Sequence, residues 1–377
     1  MLCLGGVYAW SFFVPLLEAQ LGFSHTQTQL IIGFSLGFFA LSMLFTGRLE
    51  KRLGPGKMAF LSTLFLFSGY KLAAISGGSF PLVFFSVSLL TGLGIAFGYV
   101  TCLVTPARNF PKFKGLAVGI SLAGFGGGAI VLTQLAIGFL SNRPDLSVLQ
   151  VLDQIGNIYG IFGLLLFAGI WYPFKAEKVP LFEFLVSLQD RKFNLLFFTM
   201  FSVSFAGLLV LSNLKTMVTL KTGNETVAVY AISLFAFSNM MGRIIWGWFL
   251  DKAGPEKTIS AAFIILISSL VGLEIVPSGL WTNLMVTGIA FGYSFCFVAM
   301  PFLTLQLYGP EKFGSLYPFV FLGYGAAGIL GPFIAGLFFD YTGSFFLSIH
   351  ISAFIAVIGL FLFLRFRKDL LKTVRVE

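Results

Sequence analysis

The sequence predicts an all-α membrane protein, twelve transmembrane helices arranged as two parallel six-helix repeats. Three observations carry that expectation. Of the 377 residues, 57% are hydrophobic and only 10% charged, a balance outside the range of soluble globular domains. Apolar runs of about 20 residues, enough to cross the hydrocarbon core as helices, recur along the whole chain. Several short segments of the first half return in the second, in the same order. Helices are the expected form because a segment in lipid must satisfy its own backbone hydrogen bonds, and the alternating strands of a membrane barrel are not seen.

The first run, 1–21, is barely long enough, since Glu18 follows directly on Leu17. No basic flank precedes it and no signal cleavage site follows, so a short cytoplasmic leader is expected ahead of Met1. Runs 29–46 and 58–76 flank the loop GRLEKRLGPGK (47–57), run 81–105 contains GIAFGY, run 115–140 opens on GLAVG and carries GFGGG, and run 155–173 completes a first bundle over 1–173. The longest polar stretch, 174–192, is the expected cytoplasmic linker. A second bundle over 193–364 follows with runs 193–213, 227–250, 258–276, 280–306, 314–339 and 345–364, leaving 365–377 as a cytoplasmic tail.

The internal matches fix how the bundles relate. GRLEKRLGPGK returns as GWFLDKAGPEK (247–257), GIAFGY (94–99) returns at 288–293, and GFGGG (124–128) returns as GYGAA (323–327), at offsets of 194 to 200 residues. Six helices per copy is an even number, so both copies cross in the same sense and a central site is expected between them. The glycines are expected to let helices approach closely where lipid provides no hydrophobic drive, and to ease bending as the halves move.

The net charge of +9 does not point to nucleic acid, because the basic residues sit in alternate loops. One set of loops, together with the tail, holds 19 of the 24 Lys and Arg; the other holds Lys71, Arg143, Lys215 and Lys221. The first set is expected to be cytoplasmic, with both termini, in a multi-pass protein of the cell membrane. Cys3, Cys102 and Cys296 are scattered, and His25 and His350 lack ligand spacing, so no disulfide, metal or cofactor is expected and both histidines read as structural or solvated. Lys71 reads as reaching the outer interface by stretching its stem.

The remaining basic residue is Arg243, inside the apolar run 227–250. An arginine there costs several kcal/mol or more unless it faces a cavity or a partner. Asn239, Arg243, Gly247 and Asp251 recur every four residues and so share one helix face, a face unsuited to lipid. A planar guanidinium that never loses its charge suits a carboxylate held through two parallel hydrogen bonds. Tyr8, Trp10, Tyr99, Gln134, Tyr293 and Tyr324 are candidates to complete the site with hydrogen-bonding groups and an aromatic lining.

The loop pattern through Gly247, Asp251 and Gly254, with its weaker copy at Gly47, Arg52 and Gly54, resembles the loop motif of the major facilitator superfamily. GGVYAWSFFVPL (5–16), NFPKFKGLAVGISLAGFGGG (109–128), PLFEFLVSLQDRKFNLL (180–196) and the Asn239, Arg243, Gly247, Asp251 series resemble the oxalate:formate antiporter family and the monocarboxylate transporters. The resemblance implies alternating access and a carboxylate on Arg243. Lys51 stands where the superfamily loop has aspartate, and Glu50 beside it is expected to point elsewhere. Val320 stands where oxalate transporters carry a second cation, and Asn239 where proton-coupled carriers carry an aspartate.

These readings together predict a secondary carrier, not an enzyme, with a small monocarboxylate such as formate or lactate as substrate and anion exchange as mechanism. It is expected to work as a monomer in the bilayer, without nucleic acid. A proton-coupled symporter and a non-transporting membrane sensor are the alternatives. A nucleotide-driven pump is not favoured, because no G-x4-G-K-[ST] loop is present.

Overall fold

The computed structural model describes residues 1–110, 114–169 and 190–371. Ten apolar helical segments are long enough to cross a membrane. Two of them, His25–Ala74 with 50 residues and Glu225–Ile275 with 51, are far longer than one crossing needs. Each is broken once, at Gly54 and at Gly254, so twelve helices cross among the described residues. They are α1 (Leu2–Leu21), α2 (25–53), α3 (55–74), α4 (80–109), α5 (Lys114–Asn142), α6 (Val148–Gly169), α7 (Arg191–Thr222), α8 (225–253), α9 (255–275), α10 (280–308), α11 (310–342) and α12 (Phe346–Leu371).

The breaks correct the sequence reading, in which 47–57, 251–257 and 307–313 were loops. Those segments are helical apart from one residue each: Gly54 (φ 82°, ψ 164°), Gly254 (φ 76°, ψ 167°) and Gly309 (φ 75°, ψ 167°). Every one precedes a proline, at 55, 255 and 310. Proline forces the residue before it out of the helical region, glycine alone tolerates the positive φ that results, and proline then starts the next helix without needing its missing N–H. The equivalent junction between α4 and α5 has Phe110 before Pro111, and there α4 stops at Asn109 with Phe110 at φ −119°. Nothing lies within 4 Å of a Cβ placed on Gly254, so Gly254→Ala tests backbone strain alone. It is expected to cost on the order of 1–3 kcal/mol, seen as a lower melting temperature in detergent.

The repeat extends to the helix caps at the other end. Ser24 opens α2 by accepting a hydrogen bond from Gln27 N, and Asn224 opens α8 by accepting from Thr226 N and Val227 N. Of the predicted linker 174–192, only 190–192 lie within the described residues, where Asp190 caps α7 through Lys192 N. The predicted tail is partly helix, because α12 continues to Leu371 and Arg367 forms an ion pair with Glu256 of α9 at 3.0 Å.

Glycines set the contacts that matter for a central site. Within each half, Gly98 sits against Ser62 and Leu4, and Gly292 against Leu266 and Ala262, the two copies of GIAFGY doing the same job. Between the halves, α2 meets α11: a Cβ on Gly33 would lie 2.9 Å from Gly328 O, and one on Gly325 would lie 2.5 Å from Ala40 Cβ. α5 likewise meets α8, with Gly126 against Met240. Small residues allow this backbone approach, as expected of helices packing in lipid. GLAVG (115–119) lies in α5, and its packing falls outside the described residues.

Candidate substrate-binding site

Arg243 lies on α8 nearly three turns before its basic end and is 5% exposed. Its Nη1 donates to Leu122 O of α5 at 2.9 Å, and the guanidinium lies over the ring of Phe297 of α10 at 4.3 Å and 6.0 Å from that of Phe125 of α5. Its Nε and Nη2 are buried and have no hydrogen-bond partner among the described residues. Those two N–H groups form one edge of the guanidinium and point in parallel, the edge that grips a carboxylate. One turn along α8, Asn239 is buried with both amide atoms unpartnered, its Oδ1 3.4 Å from where a Cβ on Gly126 would stand. Three donors and one acceptor are thus left buried on one helix face, although such groups are almost always paired in proteins.

Around this face stands an aromatic cage drawn from both halves. In α1 the helix tightens to 3-10 geometry over Gly6–Ala9, the turn that carries Tyr8. The Tyr8 hydroxyl is 3.1 Å from that of Tyr324 on α11 and 3.3 Å from that of Tyr293 on α10. Tyr99 on α4 meets Phe125 and Phe39 edge-on, each at 5.3 Å between ring centroids, and Phe297 meets Tyr324 at 5.6 Å. Gly207 on α7 makes room for Tyr293, whose ring would lie 2.2 Å from an added Cβ. α7 therefore packs directly against the Tyr293 side of the cage.

Of the residues singled out from sequence, Arg243, Asn239, Tyr8, Tyr99, Tyr293 and Tyr324 come together. Trp10 and Gln134 do not. The Trp10 indole is buried inside the first half, where its N–H donates to Thr28 O at 2.9 Å. Gln134 is exposed on α5. Nine residues separate it from Phe125, about two and a half helical turns, which set it on the opposite face about 13 Å away. The sequence reading missed Phe125, Phe297, Phe39 and Phe321, the last stacked on Tyr324 at 4.8 Å between centroids. With 48 phenylalanines only Phe125 carried a signal, as the one large side chain inside GFGGG.

Lys71 finds a partner that its sequence surroundings do not show. It pairs with Asp153 of α6 at 2.7 Å, and both side chains are about a third exposed, at 31% and 32%. The sequence reading placed Asp153 in a loop, whereas α6 begins at Val148 and lays it beside α3. Lys71→Met is therefore expected to leave substrate preference unchanged, a result that competition between labelled and unlabelled anions would show.

The sequence pattern of the Major Facilitator Superfamily matches residues 1–317 and, in a second overlapping match, 196–375. The chain belongs to the Major Facilitator Superfamily. It is 24% identical over 340 residues to an uncharacterized transporter of that superfamily, YhjX of Escherichia coli (strain K12), covering 86% of this chain and 82% of the relative. It is 27% identical over 274 residues to the oxalate:formate antiporter of Oxalobacter formigenes, covering 70% of this chain and 64% of that one. In fold it resembles the crystal structure of a bacterial homologue of the human lysosomal transporter Spinster, with a TM-score of 0.71 at 15% identity over 99% of this chain and 97% of the other.

The superfamily-like loop residues cluster at the basic end. Gly54 and Gly254 are the helix breaks themselves, Arg52 and Asp251 are exposed, and Gly47 and Gly247 lie on the turns before, with no close packing at either. The acid in the first copy is Glu50, which is 1% exposed, while Lys51 beside it is exposed. The acid of the first copy thus lies one position earlier than in the second and, as the spacing predicts, points elsewhere: Glu50 is buried where Asp251 is exposed.

Proposed function

We propose that this superfamily member carries a small monocarboxylate, such as formate or lactate, across the cell membrane by alternating access and in exchange for another anion. The observation that carries this reading is the buried Nε and Nη2 edge of Arg243, unpartnered among the described residues at the junction of both halves. A carboxylate supplies two oxygens at the spacing of that edge and a charge that cancels the arginine's.

The charge count favours one carboxylate over two. Lys71 is neutralised by Asp153, and Val320 is fully buried on α11 where a second cation would be needed. An oxalate dianion would leave one negative charge desolvated without a partner. The name of the Oxalobacter relative places oxalate and formate together among its substrates, and a single unpaired cation favours the formate-like side of that pair.

The bundles over 1–173 and 193–364 are the units that rock about the site, with 174–192 joining them. The basic end, rich in Lys and Arg, faces the cytoplasm with both termini. Counterflow in proteoliposomes tests the whole reading: unlabelled formate, lactate, acetate or oxalate inside, tracer outside. Saturable exchange of a monocarboxylate is expected. Preference for oxalate would overturn the charge count, and no flux with any carboxylate from folded protein would overturn the substrate class.

A further inference from the structure

At the end opposite the basic loops, outermost in the proposed orientation, the halves are joined by a polar cluster centred on His25. The sequence reading took this histidine as structural or solvated; it is 2% exposed, at the first turn of α2. Phe339 of α11 and Phe345, just before α12, enclose the ring at 4.4 and 5.5 Å between centroids. Nδ1 is 2.5 Å from Glu18 Oε1 at the end of α1, and Nε2 is 2.6 Å from Asn213 Oδ1 on α7.

The proton count follows from what each partner can do. The Asn213 amide is oriented by its own donors, since Nδ2 donates to Leu209 O at 2.8 Å and to Ser212 Oγ at 3.0 Å. Its Oδ1 is therefore an acceptor facing Nε2, while the Glu18 oxygen is an acceptor facing Nδ1. A neutral imidazole has one N–H and can satisfy only one of them. Both contacts are made only when the trio holds one proton more than a neutral histidine and a carboxylate, on the ring or on Glu18.

Other charges around the ring are already engaged. Asp340 of α11 accepts from His25 N and Thr26 N at 3.0 and 2.9 Å, tying α11 to the first turn of α2. Lys215 of α7 lies over the Phe12 ring at 5.0 Å and is 3.5 Å from Glu225 of α8. α12 contributes no charge here, and His350 on that helix is exposed with Nδ1 against Phe346 O of its own turn.

We propose that Glu18, His25 and Asn213 form a proton-binding site, filled from the outer medium when the outer ends of the halves close and emptied when they part. Separation carries Asn213 and Phe339 away with the second half, so Nε2 loses its acceptor and its cover and one proton returns to the outer medium by way of Glu18, the partly exposed member. External acid thus holds the outer gate shut. A single proton taken up on closing changes the ratio of closed to open by up to about tenfold per pH unit. The inference rests on the proposed orientation and on two-state rocking; it does not depend on which anion is carried.

The test reads conformation and not flux, so its failure is separable from failure of the carboxylate reading. Nitroxides are attached at Asp145→Cys and Tyr341→Cys, exposed outer positions on opposite halves, with Cys3, Cys102 and Cys296 replaced by Ala in the full chain in nanodiscs. Spin–spin distances are then measured between roughly pH 5 and 8, the range in which histidine changes charge. The short-distance population is expected to fall with rising pH, and the fall is expected to vanish in His25→Gln and to survive in His350→Gln. Glu18→Gln, whose amide can itself donate to Nδ1 while a neutral ring donates Nε2–H to Asn213, makes both contacts without an added proton and is expected to flatten the pH response. A flat profile in the parent chain overturns the proposal, as does an unchanged profile in His25→Gln or Glu18→Gln, or loss of the response in His350→Gln.

Discussion

Arg243→Lys, which keeps the positive charge, is expected to cut carboxylate counterflow by about 100-fold, close to the loss in Arg243→Ala. The reason lies in how the guanidinium is divided. Nη1 is committed to Leu122 O, which pins the group across the junction of α5 and α8. The flat face rests on Phe297, and only the Nε and Nη2 edge remains for an anion. An ammonium has neither a flat face nor a fork, and its single nitrogen does not reach as far as the guanidinium's outer nitrogens, so it cannot hold Leu122 and a carboxylate together. Losing one charge-assisted pair of this kind is worth about 1.5–3 kcal/mol, or roughly 10- to 150-fold in binding. Uptake assays with both variants at matched amounts of folded protein decide the point. A lysine variant that transports like the parent would show that charge alone suffices and would remove the argument for bidentate binding.

Gly33→Val is expected to abolish transport while leaving each half folded. The added Cβ would meet Gly328 O at 2.9 Å and Ile329 Cα at 3.2 Å, backbone atoms that cannot swing aside as a side chain can. Overpacking of this sort costs about 1–3 kcal/mol, and here the cost falls on the contact between α2 and α11, so the halves relieve it by staying apart. Gly5→Val makes the comparison. Its Cβ would lie 1.8 Å from Phe125 O within one half, and that variant is expected to lose folded protein altogether, as gel filtration and thermal melting would report. If Gly33→Val exchanged substrate at the parent rate, close approach of α2 and α11 would not be part of the transport cycle.

Much of this architecture could be read from the chain because its signals are local. Apolar runs of membrane length give helices, and matches such as GIAFGY at 94 and 288 give the repeat, without any knowledge of contacts. Arg243 and Asn239 were legible for the same reason, since four-residue spacing fixes a shared face. What failed was long-range. Lys71 finds Asp153 across 82 residues, and Trp10 uses its N–H on Thr28 instead of on the cage. Gln134 looked like a site residue because polar groups in lipid are costly, but polarity does not tell which way a helix is turned. His25 carried no motif at all; its partners come from α1, α7 and α11, and only their assembly gives it a role.

The one-residue breaks at Gly54, Gly254 and Gly309 bear on how the chain is made. With a single glycine between them, α8 and α9 are joined by helix that carries Asp251, Lys252, Glu256 and Lys257, with no irregular linker to separate the entry of one helix into lipid from that of the other. Each Gly-Pro pair therefore marks a hairpin expected to enter the bilayer as one body, as glycosylation mapping of truncated chains would show. For α8 this means that Arg243 is expected to reach the membrane interior already accompanied by α9, and α10 is expected to enter with α11 in the same way.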